Sequence, residues 1–117
     1  MGDERPGVRI TKPRVSITAA ATATLVHQVT SGRTAKLKKL MWYNGQSADV
    51  ILEFGRFDGS TFTRLLPRIR AIAGHHDGLS EIMCPNFEFE ADIYAMASAA
   101  GAAPSDVEVQ CEVTEIG

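Results

Sequence analysis

The stretch Val107-Glu108-Val109-Gln110-Cys111-Glu112-Val113 decides how the chain is read. Its apolar residues fall at odd positions and its polar residues at even ones. This period of two is the spacing at which a β-strand sends side chains to opposite faces. One face is then buried and the other wet, the pattern of an antiparallel sheet packed on one side. Cys111 sits among the valines as a small buried hydrophobe does. Upstream, Phe87, Phe89, Ala91, Ile93 and Ala95 alternate against Glu88, Glu90 and Asp92 and predict a strand over 87–97. The Ala-rich stretch Ile93 to Ala100 also admits a short helix, because alanine has the best helix propensity.

Further upstream the same rhythm recurs. Strand-like runs open at Val15 and Ile17 and continue at 24–29, 35–43, 48–54, 61–66, 67–73 and 81–83. Turn signals punctuate them at Ser31-Gly32, Asn44-Gly45, Asp58-Gly59, Asp77-Gly78 and Pro104-Ser105-Asp106. Together with 87–97 and 106–113 this gives about nine short strands with almost no helical period, the signature of two packed antiparallel sheets. The expected class is all-β: an antiparallel β-sandwich of jelly-roll type. Residues 1–13 mix charges with Gly2, Pro6, Gly7 and Pro13 and predict an extended N-terminal arm. The single sandwich domain is expected over 14–117.

Composition narrows the function classes. A chain of 117 residues with 44% hydrophobic and 22% charged residues fits one globular domain, which excludes a multi-domain enzyme. A formal net charge of −2 gives no overall attraction to nucleic acid or to an anionic membrane. No run of 18 apolar residues marks a spanning helix, and Met1 to Pro6 lacks the apolar core of a signal peptide, so a soluble protein is expected. Without an export signal, Cys84 and Cys111 are expected to be reduced, although they could bridge.

Chemistry-bearing residues do not converge. His75-His76-Asp77 reads as a solvated loop, and neighbours on an extended chain point opposite ways, so the two histidines are poorly placed to share a metal. His27 interrupts the apolar Leu25-Val26 stretch with no partner at ligand spacing. There is no G-x-S-x-G nucleophile elbow, and the glycines are spread among turns instead of clustering before a helix. Acidic pairs such as Glu88 and Glu90, or Glu108 and Glu112, read as a solvent face. No catalytic residue, metal site or cofactor is expected, and the protein is read as non-enzymatic.

Two features point to subunit contacts. In Lys39-Leu40-Met41-Trp42-Tyr43 and Asp49-Val50-Ile51-Leu52-Glu53-Phe54, residues of both parities are apolar, so both faces are expected to be covered. In so small a chain the second cover is expected to be another subunit, with Lys39, Met41, Trp42, Tyr43 and Phe54 at the interface. Basic residues cluster at Arg33, Lys36, Lys38 and Lys39 and again at Arg64, Arg68 and Arg70. With 7% aromatics the chain has few rings for stacking on single-stranded nucleic acid, so nucleic acid is not an expected partner. Arg68 and Arg70 are expected to face carboxylates of a neighbour, for which Glu88, Glu90 and Asp92 are the complement.

The run Thr34 to Gly45 followed by Ala48 to Phe54, with Leu66-Pro67-Arg68-Ile69-Arg70 and the closing Ala91 to Ser98 into Val107-Glu108-Val109, resembles the small jelly-roll proteins of tailed-phage virions. The likeness is to the head decoration, or cement, proteins that sit as trimers on a capsid. It covers residues 14–116 and is one of strand rhythm and turn placement. It implies a virion structural subunit, assembled in the host cytoplasm, that packs with itself as a homotrimer and stabilises the shell by binding the major capsid protein or another virion protein. By position, Arg5, Arg9, Lys12 and Arg14 would touch the shell. The rival reading is a carbohydrate- or ligand-binding β-sandwich module that stacks its ligand on Trp42, Tyr43 or Tyr94. A cupin-like enzyme is a third, and it would need His27 and the adjacent His75-His76 around a bound metal.

Overall fold

A computed structural model describes residues 7–11, 13–80, 88–89 and 92–117, and every regular element among them is a β-strand. In chain order these are β1 (Gly7–Thr11), β2 (Val15–Ile17), β3 (Thr24–His27), β4 (Thr34–Asn44), β5 (Val50–Phe57) and β6 (Phe62–Arg64). There follow β7 (Ile69–Ala71), β8 (His76–Ser80), β9 (Glu88–Phe89), β10 (Ile93–Ala97) and β11 (Val107–Ile116). All pairings are antiparallel and form two sheets. One runs β1-β11-β4-β8, with β2 also on β11 and β9 also on β4; the other runs β3-β10-β5-β6, with β7 also on β5. Strands β1 and β2 share one position beside β11, as do β6 and β7 beside β5 and β8 and β9 beside β4. Merging each pair leaves eight strand positions, ordered 1-8-3-6 in the first sheet and 2-7-4-5 in the second. That order is the doubled Greek key of a jelly roll.

The strand β11 alternates as its sequence requires: Val107, Val109, Cys111 and Val113 are buried against the second sheet and Glu108, Gln110 and Glu112 lie on the outer face. It pairs along its whole length with β4. The core between the sheets is filled by those residues with Ile17, Leu37, Leu40 and Trp42 from one side and Val50, Leu52, Phe54, Ile93, Ala95 and Ala97 from the other.

The two-faced apolar pattern of β4 has a different cause from the one expected. Glu112 stands opposite Lys39 and Val113 opposite Leu37, so Lys38 is an extra residue. Such a bulge shifts the parity of everything beyond it. Ala35 and Leu37 point inward before it, Leu40, Trp42 and Asn44 after it, and Lys39, Met41 and Tyr43 are exposed. Alternation is therefore kept, and Trp42 and Phe54 are core residues of the subunit, 7% and 0% exposed, not contact residues.

Three further expectations are corrected. Gly7–Thr11, expected within the arm, is a strand paired with Ile116 to Glu112, so the sandwich begins before residue 14. Residues 76–80, read as a solvated loop through Asp77-Gly78, form β8 on β4. The run 87–97 is divided: β9 joins β4 in one sheet and β10 joins β5 in the other. The Ala-rich run is strand, not helix, because Ile93, Ala95 and Ala97 fill the core at a period of two. The strand expected at 81–83 lies outside the described residues.

Candidate functional site

The outer face of the first sheet carries a depression built from three neighbouring strands. The central strand β4 offers Met41 and Tyr43, β11 supplies Gln110 and Glu108 on one side, and β8 supplies Gly78 and His76 on the other. The register sets them in rows, Glu108 opposite Tyr43 opposite His76 and Gln110 opposite Met41 opposite Gly78. Gly78 has no side chain to fill its place in the row. A Cβ there would lie 2.6 Å from the Leu40 carbonyl oxygen, so the strand approaches β4 more closely than a larger residue permits. The result is a depression of about 390 Å³ lined by these residues with Arg14, Asp77, Trp42 and Val109. Met41 and Tyr43 are 39% and 38% exposed within it. Arg14, largely exposed, closes one rim through a 2.8 Å ion pair from Nη1 to Glu108 Oε2.

Of the expected contact residues, the fold brings Met41, Tyr43 and Arg14 to this depression, with Lys39 exposed on the same face, one row along and opposite Glu112. Arg68 and Arg70 lie away from it, near β5 of the second sheet. There Arg68 stands 3.4 Å and Arg64 3.8 Å from Glu53, and Arg70 binds Asp49 at 2.7–2.8 Å. These cations are thus matched within the subunit. Asp49 also accepts the Ala73 N–H, and that bond, with Arg70 beside it, holds its carboxyl below the usual carboxylate range. Glu88 has its backbone opposite Lys36 in β9. Asp92, expected to face a neighbour, accepts the Val29 N–H at 2.9 Å. Arg9 is a residue of β1. Arg5, Lys12, Glu90 and Cys84 lie outside the described residues.

A second constellation is not visible in the sequence. His27 and Glu115 are buried together between the sheets, with Nε2 2.8 Å from Glu115 Oε2 and side chains 1% and 0% exposed. The same carboxylate oxygen accepts the Thr30 N–H at 3.1 Å, and Arg33 Nη1 stands 3.8 Å from Oε1. Burial opposes ionisation of Glu115, yet the hydrogen bonds from Thr30 and His27 outweigh it and hold the carboxyl below its ordinary value of 4.5. The accepting carboxylate places the imidazole proton on Nε2, and among the described residues His27 Nδ1 and Glu115 Oε1 have no hydrogen-bond partner. A shift of register puts His27 inside: Ile93 faces His27 and Tyr94 faces Leu25, so Val26 is extra and both it and His27 are buried. The one legible signal is Glu115 itself, which continues the odd, inward parity of Val107 to Val113.

Among the described residues no three His, Cys, Asp or Glu side chains gather as a metal site. His27 and His75 differ in setting: the first is in the core, and the second is exposed, its Nδ1 2.8 Å from the Ala73 carbonyl. Tyr94 is half-buried and meets Phe57 edge to face, with ring centroids 5.4 Å apart.

No protein-family model and no curated protein matches the chain. The chain is similar to a solved structure from Bacillus endospore appendages, described as a family of disulfide-linked pili. The TM-score is 0.51 at 14% identity, covering 99% of this chain and 94% of that one. At that identity the likeness bears on the fold, which is a β fold in both.

Proposed function

We propose that the chain is a non-enzymatic structural subunit that assembles with further copies of itself through the outer face of the β1-β11-β4-β8 sheet. The observation that carries this is the pair Met41 and Tyr43. They are exposed in mid-sheet around a depression rimmed by Arg14, Glu108, Gln110 and Asp77, an apolar centre with a polar and charged rim that suits a protein contact. Lys39 and Asp77 add charges of both signs to this face, beside the Arg14–Glu108 ion pair. The strand rhythm, which resembles that of phage decoration proteins, supports a virion role, and the neighbour from disulfide-linked pili supports a structural polymer; a trimer on a shell and a filament are the closed and open outcomes of one contact in which this face meets a different surface of the next copy.

Light scattering on a size-exclusion column tests it with the full chain and the double variant Met41→Lys/Tyr43→Lys. The full chain is expected to elute as an oligomer of its 12.6 kDa subunit and the variant as a folded monomer. A monomeric parent chain, or a variant of unchanged mass, overturns the reading. The ligand-binding alternative rests on the same depression, with Tyr43 as the stacking ring. Trp42 is withdrawn from that role by its burial and Tyr94 by its contact with Phe57. Glycan binding by a monomer would favour it.

A further inference from the structure

The turn 28–33 carries the chain from β3 in one sheet to β4 in the other, and two carboxylates hold it. Asp92, immediately before β10, accepts the Val29 N–H at 2.9 Å. Glu115, near the end of β11 in the opposite sheet, accepts the adjacent Thr30 N–H at 3.1 Å and is braced by His27 at 2.8 Å. Within the turn the Arg33 N–H returns to the Thr30 carbonyl at 3.0 Å, and Gly32 takes a positive φ of 80°. Two neighbouring backbone donors are thus tied to acids from the two sides of the sandwich. The strand leading into the turn, β3, is the edge of its sheet, with β10 beside it among the described residues.

We propose that residues 28–33 form an acid-released clasp: with Glu115 ionised the turn and β3 are fastened across both sheets, and protonation of that carboxylate frees them while the remaining sandwich stays folded. A carboxylate accepts hydrogen bonds through both oxygens and binds a donor more strongly than a neutral acid does, so protonation of Glu115 weakens its ties to Thr30 and His27. The groups facing Glu115 are His27 from β3 and Arg33 from the turn; its neighbours in register are Ala35 on β4 and Val8 on β1, neither of which titrates. Both facing groups are cationic when charged, so they favour the ionised carboxylate and set the release towards acid. Among the described residues only this turn is tied by side-chain acids to both sheets. The β5 strand, by contrast, is held by ladder bonds that do not titrate.

Hydrogen exchange read by mass spectrometry on the full chain tests the clasp, with rates corrected for the intrinsic effect of pH. Between about pH 6.5 and pH 3.5, protection over 24–33 is expected to fall severalfold while 50–57 keeps its protection. Glu115→Gln is expected to show the open turn at both pH values. Asp92 is half-buried and outside the core, so Asp92→Asn keeps the test decisive should Glu115→Gln not fold. That variant is expected to exchange faster at Val29 at both pH values, because it loses the charged acceptor of that N–H. Protection over 24–33 that is independent of pH overturns the clasp. So does its loss together with 50–57, or an Asp92→Asn turn indistinguishable from the parent.

Discussion

At Glu115 the balance between burial and hydrogen bonding fixes the sign of a pH effect. Its folded pKa lies below the ordinary 4.5, so around that pH the unfolded chain binds the proton more readily than the folded one. The stabilisation is fully present above about 4.5 and is lost as pH falls through the folded value. Asp49 and Asp58 act in the same direction against 3.8, Asp49 through the Ala73 N–H and Arg70 and Asp58 through the Thr61 and Ser60 N–H groups. Thermal melting is therefore expected to be nearly level from neutral pH to about 5 and to drop below about 4.5, less steeply in Glu115→Gln. At Phe54 the issue is volume. The ring is 0% exposed, and Phe54→Ala is expected to cost about 3–5 kcal/mol in denaturant unfolding, whereas Met41→Ala at the surface is expected to stay within about 0.5 kcal/mol. Equal costs would put Phe54 outside the core.

The strand β4 shows how one residue redirects an element. Deleting Lys38 removes the bulge and leaves Leu37 and Leu40 on the inward parity. Deleting Met41 turns Trp42 and Asn44 outward, because one step along a strand reverses every side chain beyond it. The Lys38 deletion is expected to fold with a loss of about 1–2 kcal/mol and the Met41 deletion to be unfolded by circular dichroism. The same residue explains what is readable in advance. The period of two in β11 and β10, with the Gly-containing turns, discloses the two-sheet class and most strand positions. The bulges at Lys38 and Val26 are not readable, since a bulge is set by pairing with a distant strand. Without them local alternation sends Trp42 to the surface and leaves His27 apart from Glu115, 88 residues away. The sequence marks Met41 and Tyr43 as surface candidates only together with Trp42, because both parities are apolar there; that the first two are exposed and Trp42 is not is set by the bulge. Gly78 resembles a turn residue in sequence because its true reason, the approach to Leu40, is a tertiary one.

For the whole molecule, a face that meets itself closes as a two-fold dimer, whereas a face that meets a different surface of the next copy closes into a ring or continues as a filament. Closure makes the mass constant with concentration, and an open contact makes it grow. Light scattering over about a hundredfold range around roughly 10 μM is expected to give a plateau at a small multiple of 12.6 kDa if the subunit works as a decoration trimer, and continued growth if it builds a filament. Cys111 is fully buried in the inter-sheet core, so an intermolecular disulfide through it would require the sandwich to open. A Cys111→Ser chain is expected to give the same solution mass by light scattering as the parent.

The pairing of Gly7 with Ile116 has a mechanical meaning. These residues lie opposite each other at one end of the β1–β11 ladder, so a tensile load applied through them pulls across the ladder instead of along it. Its hydrogen bonds then break singly and in succession, like the teeth of a zip, and not all together as they would in shear. In a structure under strain, force entering one such subunit at this end would peel β1 at low tension while β4 and β5 stayed packed. An assembly held through the sheet faces would route the load around that weak seam.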